Sequence, residues 1–221
     1  MHSFKQVESN RLGFTDKDRG NSRHDWACQY LSTGCRGFHI VRAIVPKVTP
    51  WDSSFSNSKV RRHCEDLTWY RPWHEWEIYP HQGFGQRTKP RLAGFADLVI
   101  PYQAVWRSEW DDDQETDRKP TEQSGRVLVE VKIGPVPIGD ILRQVKFYRS
   151  TILGHDEWGN GWGVSSSYRW DFAVVTAYPL QAEDRKVLTD HKLHHFQLGQ
   201  QFEDYCATRK EEVPVNEALE I

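Results

Sequence analysis

Long hydrophobic runs are missing from this sequence of 221 residues, whose mean hydropathy is -0.73. No apolar stretch approaches the roughly 20 residues that a membrane-spanning helix needs. The first residues, MHSFKQVESNR, also lack the charged and then apolar pattern of a signal peptide. We therefore expect a cytoplasmic protein that makes no contact with a membrane.

Cysteine is scarce as well, and none of the four cysteines forms a C-x-x-C pair. In a cytoplasmic chain, free thiols are favoured over disulfides. Some cysteines and histidines could meet at a zinc ion, but their irregular spacing favours ordinary, partly buried side chains. The residues that such a zinc site would use are His24, Cys28, Cys35, His63 and Cys64.

A strong excess of positive charge is also absent, since the net charge is -2. The charge is uneven, however, because residues 109–117, EWDDDQETD, hold six acids and no base, which leaves +4 on the rest of the chain. Basic residues cluster at 59–62, at 86–91, and at Arg143, Lys146 and Arg149. This distribution predicts a local basic surface despite the acidic total.

Hydrophobic patterning predicts an N-terminal extension, residues 1–56, and a core, residues 57–221, that closes with a C-terminal helix. Within the extension, FHIVRAIVP at 38–46 reads as a strand that could add to the sheet. The core elements are expected in the order helix, three strands, helix, strand and helix, at 57–70, 73–82, 94–102, 126–135, 140–153, 171–178 and 189–210.

Several details of these elements follow from composition. Ser58 and Asp140 are expected at helix N-caps, and residues 103–125 are expected to form an exposed acidic loop. The run His191 to His195 is expected on an exposed helix face. The strand–helix–strand step from 127 to 178 predicts two parallel strands. The fold class is therefore α/β, with a mixed central sheet flanked by helices.

Charged side chains interrupt two apolar strands. Asp97 lies within GFADLVIPY, where an unpaired buried carboxylate would be costly. In RVLVEVKIGP, residues 126–135, alternation places Glu130 and Lys132 on one face. If the two strands pair, both carboxylates project from the same end of the sheet and repel each other unless protons or a divalent cation intervene. Mg²⁺ suits such a site; the alternative is a solvated ion pair on an edge strand.

GFAD, followed by VEVK and then by a helix bearing RQVKFY, resembles the PD-(D/E)xK nuclease superfamily over residues 57–178. The resemblance implies a restriction-endonuclease-like fold, hydrolysis of DNA phosphodiester bonds, and Mg²⁺ as cofactor, for which Mn²⁺ is expected to substitute. It also implies Asp97, Glu130 and the Val131 carbonyl as metal ligands, with Lys132 as the catalytic lysine.

Gln144 and Tyr148 form a Q-x-x-x-Y pattern, as in the branch of that superfamily similar to lambda exonuclease and RecB-type nucleases. At i and i+4 they share one helix face, and the resemblance implies that they support the catalytic site, with Gln144 near Lys132. Many members also use a glutamate from the first core helix. Glu65 is the candidate here, and Glu75 and Glu77 are the alternatives. The cysteines lack the spacing of the iron–sulfur members, so no cluster is expected.

The expected partner is nucleic acid, with DNA as the first choice, and a protein partner or a homo-oligomer stays open. Two alternatives remain: a catalytically weak binding module with the nuclease fold in a defence, repair or replication complex, and a nuclease that cleaves RNA. Ten tryptophans occur in the chain. Those interleaved with arginine could stack on unpaired bases or fill the core.

Overall fold

The computed structural model describes residues 22–50, 52–55, 58–78, 92, 94–110, 119–153 and 169–212. These residues form five helices and seven strands. The helices are α1 (Ser22–Ser32), α2 (Arg36–Ile44), α3 (Ile138–Leu153), α4 (Ala182–Asp190) and α5 (Gln200–Glu212). The strands are β1 (Asp52–Phe55), β2 (Ser58–Trp69), β3 (Trp73–Ile78), β4 (Gly94–Trp110), β5 (Thr121–Lys132), β6 (Arg169–Thr176) and β7 (His194–Gln197).

All seven strands belong to one mixed sheet, in the order β1-β2-β4-β5-β6-β7. The long strand β4 carries two neighbours on one side: β2 pairs with its second half and β3 with its first half. Pairing is antiparallel from β1 to β5 and parallel from β5 through β6 to β7. The predicted parallel pairing of the strands on either side of α3 is confirmed.

Helices cover both faces of this sheet, so the core has two layers. On one face, α1, α2 and α5 pack on Val127, Val129 and Val131 of β5. On the other face, α3 and α4 pack on Leu128 and its neighbours in β4 and β6. The alternation of side chains along a strand divides β5 between the two layers. The predicted α/β class, with a mixed sheet flanked by helices, is confirmed.

The strand predicted at 38–46 is wrong, because these residues lie mostly in α2. The buried positions Gly37, Ile40, Val41 and Ile44 follow helical i, i+3, i+4 spacing. The β-branched composition outweighed this periodicity in the sequence interpretation. The extension nevertheless adds an edge strand, since β1 pairs with β2.

The helix predicted at 57–70 is also wrong, because β2 occupies this range and Ser58 begins a strand rather than capping a helix. Pairing with β4 over Val60–Trp69 decided the outcome, since tertiary contacts override weak local propensity. The exposed loop predicted at 103–125 is wrong for the same reason. Strand β4 continues to Trp110 and β5 begins at Thr121, and residues 111–118 lie outside the described range.

The single helix predicted at 189–210 is divided into the end of α4, strand β7 and helix α5. Lys192 has a left-handed backbone, with φ of 56°, which ends α4 and turns the chain into β7. The run His191 to His195 is therefore a turn and a strand. Asp140 lies within the first turn of α3 instead of at its N-cap. The strands predicted at 94–102, 126–135 and 171–178 and the helix at 140–153 are present, with shifted ends. The strand predicted at 73–82 is present as β3 over Trp73–Ile78, and residues 79–82 lie outside the described range.

Among the described helices, none combines the length and the apolar character that a bilayer crossing requires.

Gly125 holds a close contact between β4 and β5. It lies opposite Tyr102 in the register, and a Cβ atom at Gly125 would meet the Tyr102 ring at 2.1 Å. The hydroxyl of Tyr102 donates a hydrogen bond to Asp171 Oδ2 at 2.8 Å, and Arg169 donates to Asp171 Oδ1. Burial raises the pKa of Tyr102, which keeps the hydroxyl protonated as the donor. The ring thus links three neighbouring strands.

We expect Gly125→Ala to destabilise the fold by about 1–3 kcal/mol through overpacking, with about 1 kcal/mol more if the Tyr102 hydrogen bond is lost. Urea unfolding measures the change. Gly134→Ala is the matched control, because a Cβ at Gly134 meets no atom within 4 Å. Equal stabilities of the two variants would contradict the contact.

Candidate functional site

Asp97 closes the hydrogen-bond ladder between β4 and β5. The last paired residues are Leu98 and Val129, one step before Asp97 and Glu130. Beyond this pair, the Val131 amide donates to Asp97 Oδ2 at 2.7 Å. A carboxylate therefore takes the place of a backbone acceptor, which explains why the apolar strand tolerates a charge. The pairing of these two strands, which the sequence interpretation left as a condition, is present.

The regular alternation of side chains between the two faces of β4 is interrupted at Asp97. Ala96 and Val99 pack in the α3-side layer although they are three residues apart, while Leu98 packs in the opposite layer. Regular alternation does not allow this. In the register, the residue of β3 opposite Asp97 is Glu75, and it has a φ of 46°. Positive φ in a non-glycine residue is a strained conformation that clusters at functional sites.

Glu130 and Lys132 form a buried ion pair on the α3 side of β5. Only 1% of Glu130 and 8% of Lys132 is exposed, and Lys132 Nζ donates to Glu130 Oε1 at 2.7 Å. The other carboxylate oxygen, Glu130 Oε2, is buried without a hydrogen-bond partner. Burial, and then the charge of Asp97, raises the pKa of Glu130, while Lys132 opposes this shift. The pair is therefore buried on a strand that is paired on both sides, and the alternative of a solvated pair on an edge strand is wrong.

The Q-x-x-x-Y residues extend this pair into α3. Lys132 Nζ also donates to Gln144 Oε1 at 3.1 Å, and Gln144 Nε2 donates to the Tyr148 hydroxyl at 2.8 Å. That hydroxyl donates in turn to the Phe95 carbonyl at 2.8 Å. A continuous hydrogen-bonded chain therefore runs from β5 through α3 to β4. It fixes the Lys132 ammonium in position.

His24 of α1 belongs to the same cluster, and the sequence interpretation missed it. His24 Nε2 lies 3.4 Å from Asp97 Oδ1. Burial acts to lower the pKa of His24, but the hydrogen bond and charge of Asp97, with Glu130 behind it, raise the pKa to about 9. One turn along α1, Cys28 is buried, and burial raises the pKa of its thiol.

A sequence signal for His24 existed. His24, Ala27, Cys28 and Leu31 follow i, i+3, i+4, i+7 spacing, which is the buried stripe of an amphipathic helix. The latter three are buried against the sheet. The sequence interpretation considers His24 only as a candidate zinc ligand and does not use its position on this stripe. Helix α1 contacts β5 directly.

Glu65 lies away from this cluster. It is on strand β2, where it forms an ion pair with Arg107. Arg107 is ten residues beyond Asp97 along β4, roughly 33 Å by the rise of a strand. The expected first-helix glutamate is therefore not supplied by Glu65. Glu75 and Glu77 are exposed on β3 near Asp97, and the charge of Glu75 acts on Cys28.

In the described residues, two arginines of the predicted basic surface are paired with acids. Arg61 forms an ion pair with Glu109, and Arg143 forms one with Asp140. Arg149 donates to the carbonyl oxygens of His191 and Lys192. The cluster at 86–91 and the acids at 111–117 lie outside the described range.

Within the part of the chain that the structure describes, no three His, Cys, Asp or Glu side chains are grouped as a metal ion would require. The zinc alternative therefore gains no support. The described cysteines are free thiols, as expected. No protein-family model matches the chain, and no curated protein and no solved structure matches it either.

The raised pKa of His24 predicts a pH-dependent stability. Between the unfolded pKa of 6.5 and the folded pKa of about 9, the folded state binds more protons than the unfolded state. The contribution of His24 is therefore complete below pH 6.5 and is lost as the pH rises through 9. We expect wild-type protein, free of metal, to lose up to about 3 kcal/mol more over this window than His24→Gln.

Urea unfolding at a series of pH values measures this difference. His39→Gln serves as the control, because His39 is an exposed residue of α2 and should leave the wild-type profile unchanged. Identical pH profiles for wild type and His24→Gln would contradict the pairing of His24 with Asp97.

Proposed function

We propose that this protein is a metal-dependent nuclease that hydrolyses phosphodiester bonds of DNA, with a restriction-endonuclease-like core of the PD-(D/E)xK type. One observation carries the proposal. The Lys132 ammonium is held between Glu130 and Gln144, beside the point where Asp97 closes the β4–β5 ladder. Residues that are remote along the chain thus meet in the combination that phosphodiester hydrolysis uses. The mixed sheet with helices on both faces is compatible with this core.

The donor set fits a hard divalent cation. Glu130 Oε2 is buried without a partner, and Asp97 is partly exposed beside it. Asp97, Glu130 and the Val131 carbonyl would hold Mg²⁺, or Mn²⁺ in its place, since oxygen ligands suit both ions. A bound cation of this kind polarises the phosphoryl group and lowers the pKa of a bound water. A cation would also offset the repulsion that raises the pKa of Glu130.

The other side chains act by position and charge. The Lys132 ammonium stabilises the negative charge that develops on the phosphoryl oxygens, or orients the attacking water. Gln144 and Tyr148 hold that ammonium in place, because both lie in the chain of hydrogen bonds to the Phe95 carbonyl. Protonated His24 adds positive charge next to Asp97.

Removal of the Lys132 charge tests the mechanism. We expect Lys132→Gln to lower DNA cleavage in Mg²⁺ by at least about 100-fold, because the positive charge is lost. Glutamine is chosen because it keeps a hydrogen-bond donor for Glu130. Lys186→Gln is the matched control, since Lys186 is exposed on α4. Circular dichroism checks that each variant is folded. Cleavage by Lys132→Gln at the wild-type rate would contradict the proposal, as would wild-type cleavage in EDTA.

A second candidate is a nuclease-fold binding module that hydrolyses slowly or not at all. The ion pair between Glu130 and Lys132 is almost wholly buried and favours this candidate, because Lys132 already balances the charge of Glu130 without a cation. Native mass spectrometry with single-stranded DNA, duplex DNA and RNA in EDTA tests binding. Stable complexes without hydrolysis after Mg²⁺ is added would select this candidate. Preferential cleavage of RNA would select a ribonuclease instead.

A further inference from the structure

Arg126 of β5 lies among three tryptophans from two other strands. Its guanidinium carbon is 5.2 Å from the ring centroid of Trp73, 5.3 Å from that of Trp170 and 6.0 Å from that of Trp76. Trp76 and Trp170 also contact each other, with centroids 5.4 Å apart. These four residues are called the Arg126 patch. Such cation–π contacts hold both the rings and the guanidinium in fixed orientations.

The strained backbone of β3 builds this patch. Trp73 and Trp76 are three residues apart, so regular alternation would place them on opposite faces of the sheet. The positive φ of Glu75 between them changes the facing, and both rings reach Arg126. The same irregular step lies opposite Asp97 in the register. One local distortion therefore shapes both the candidate site and the patch.

The patch and the candidate site lie on the same face of the sheet, with the buried residue Leu128 between them. Arg126, Leu128 and Glu130 alternate to one side of β5, and Leu128 packs in the α3-side layer. Glu130 is four positions beyond Arg126, or roughly 13 Å along the strand.

Packing in the core does not account for the exposure of Trp73. Trp76 and Trp170 pack against the α3-side core, but Trp73 is 41% exposed, which is unusual for the largest apolar side chain. It presents an aromatic ring to solvent beside a fixed positive charge. Unpaired bases stack on such rings, and the adjacent phosphates are attracted to arginine.

We propose that the Arg126 patch stacks an unpaired base of a single-stranded nucleic acid. This inference rests on the proposed function and specifies its substrate as a single strand or a frayed end. Trp73 provides the stacking surface. Arg126 carries the charge that complements the backbone, and Trp76 and Trp170 orient Arg126.

The test is binding of fluorescein-labelled oligothymidylate to the full chain in EDTA, followed by fluorescence anisotropy. We expect Trp73→Ala to weaken this binding by about 5- to 100-fold, the loss typical of one stacked base. Trp73→Phe keeps a ring and should remain within about threefold of wild type. Trp73→Leu keeps apolar bulk without a ring and should behave like Trp73→Ala, which preserves the test if the alanine variant does not fold.

Phe147→Ala is the matched control, because Phe147 is also 41% exposed but lies on α3; it should bind like wild type. A blunt duplex of mixed sequence should bind alike to wild type and Trp73→Ala. The proposal is overturned if Trp73→Ala and Trp73→Leu both bind oligothymidylate like wild type, if duplex binding falls equally, or if the wild type binds no single strand.

The result of this binding experiment does not depend on nuclease activity, because EDTA prevents metal-dependent hydrolysis during the measurement. If binding depends on the Trp73 ring but no cleavage occurs in Mg²⁺, base stacking on the Arg126 patch is supported and the nuclease proposal is rejected. If cleavage occurs in Mg²⁺ but Trp73→Ala and Trp73→Leu bind like wild type, the nuclease proposal is supported and base stacking on the Arg126 patch is rejected.

Discussion

The buried contact between Lys132 and Glu130 is the constraint on which the candidate site depends. Two charges removed from water carry a large desolvation cost, and a packed apolar pair of similar volume is often at least as stable. Loss of one partner would leave an uncompensated charge in the core. The hydrogen bonds from Lys132 to Gln144 and from Gln144 to Tyr148 complete the pairing. The pair therefore fixes a carboxylate and an ammonium next to each other in the core, and its net contribution to stability is small.

A second constraint is the local irregularity shared by β3 and β4. At Asp97 the side chains of β4 change face, and in the opposite position Glu75 has a left-handed backbone. This geometry lets the Asp97 carboxylate accept from the Val131 amide while it also lies next to His24 of α1. On β3 it brings Trp73 and Trp76 to the same arginine. The position of the Asp97 carboxylate, its contact with His24 of α1 and the Arg126 patch thus all depend on the same short stretch of backbone in β3 and β4.

The accuracy of the sequence interpretation varied with the kind of signal. Apolar strands such as 94–102 and 171–178 and the amphipathic helix at 140–153 have periodicity strong enough to define them locally. Segments 38–46 and 57–70 were assigned from composition, and both assignments were wrong because burial periodicity in α2 and pairing with β4 decided their structures. Glu65 was misplaced together with its segment. The stripe that contains His24 indicates a buried helix face, but its contact with Asp97, 73 positions away in the chain, has no local signal.

The sequence by itself determined that Glu130 and Lys132 share a face of a strand and that Gln144 and Tyr148 share a face of a helix. Both statements follow from the fixed periods of 2 and 3.6 residues. Only the tertiary structure decided that these two faces meet, that α1 brings His24 to Asp97, and that β4 is long enough to pair with both β2 and β3. Contacts between distant segments depend on how whole layers pack, and no local period encodes that arrangement.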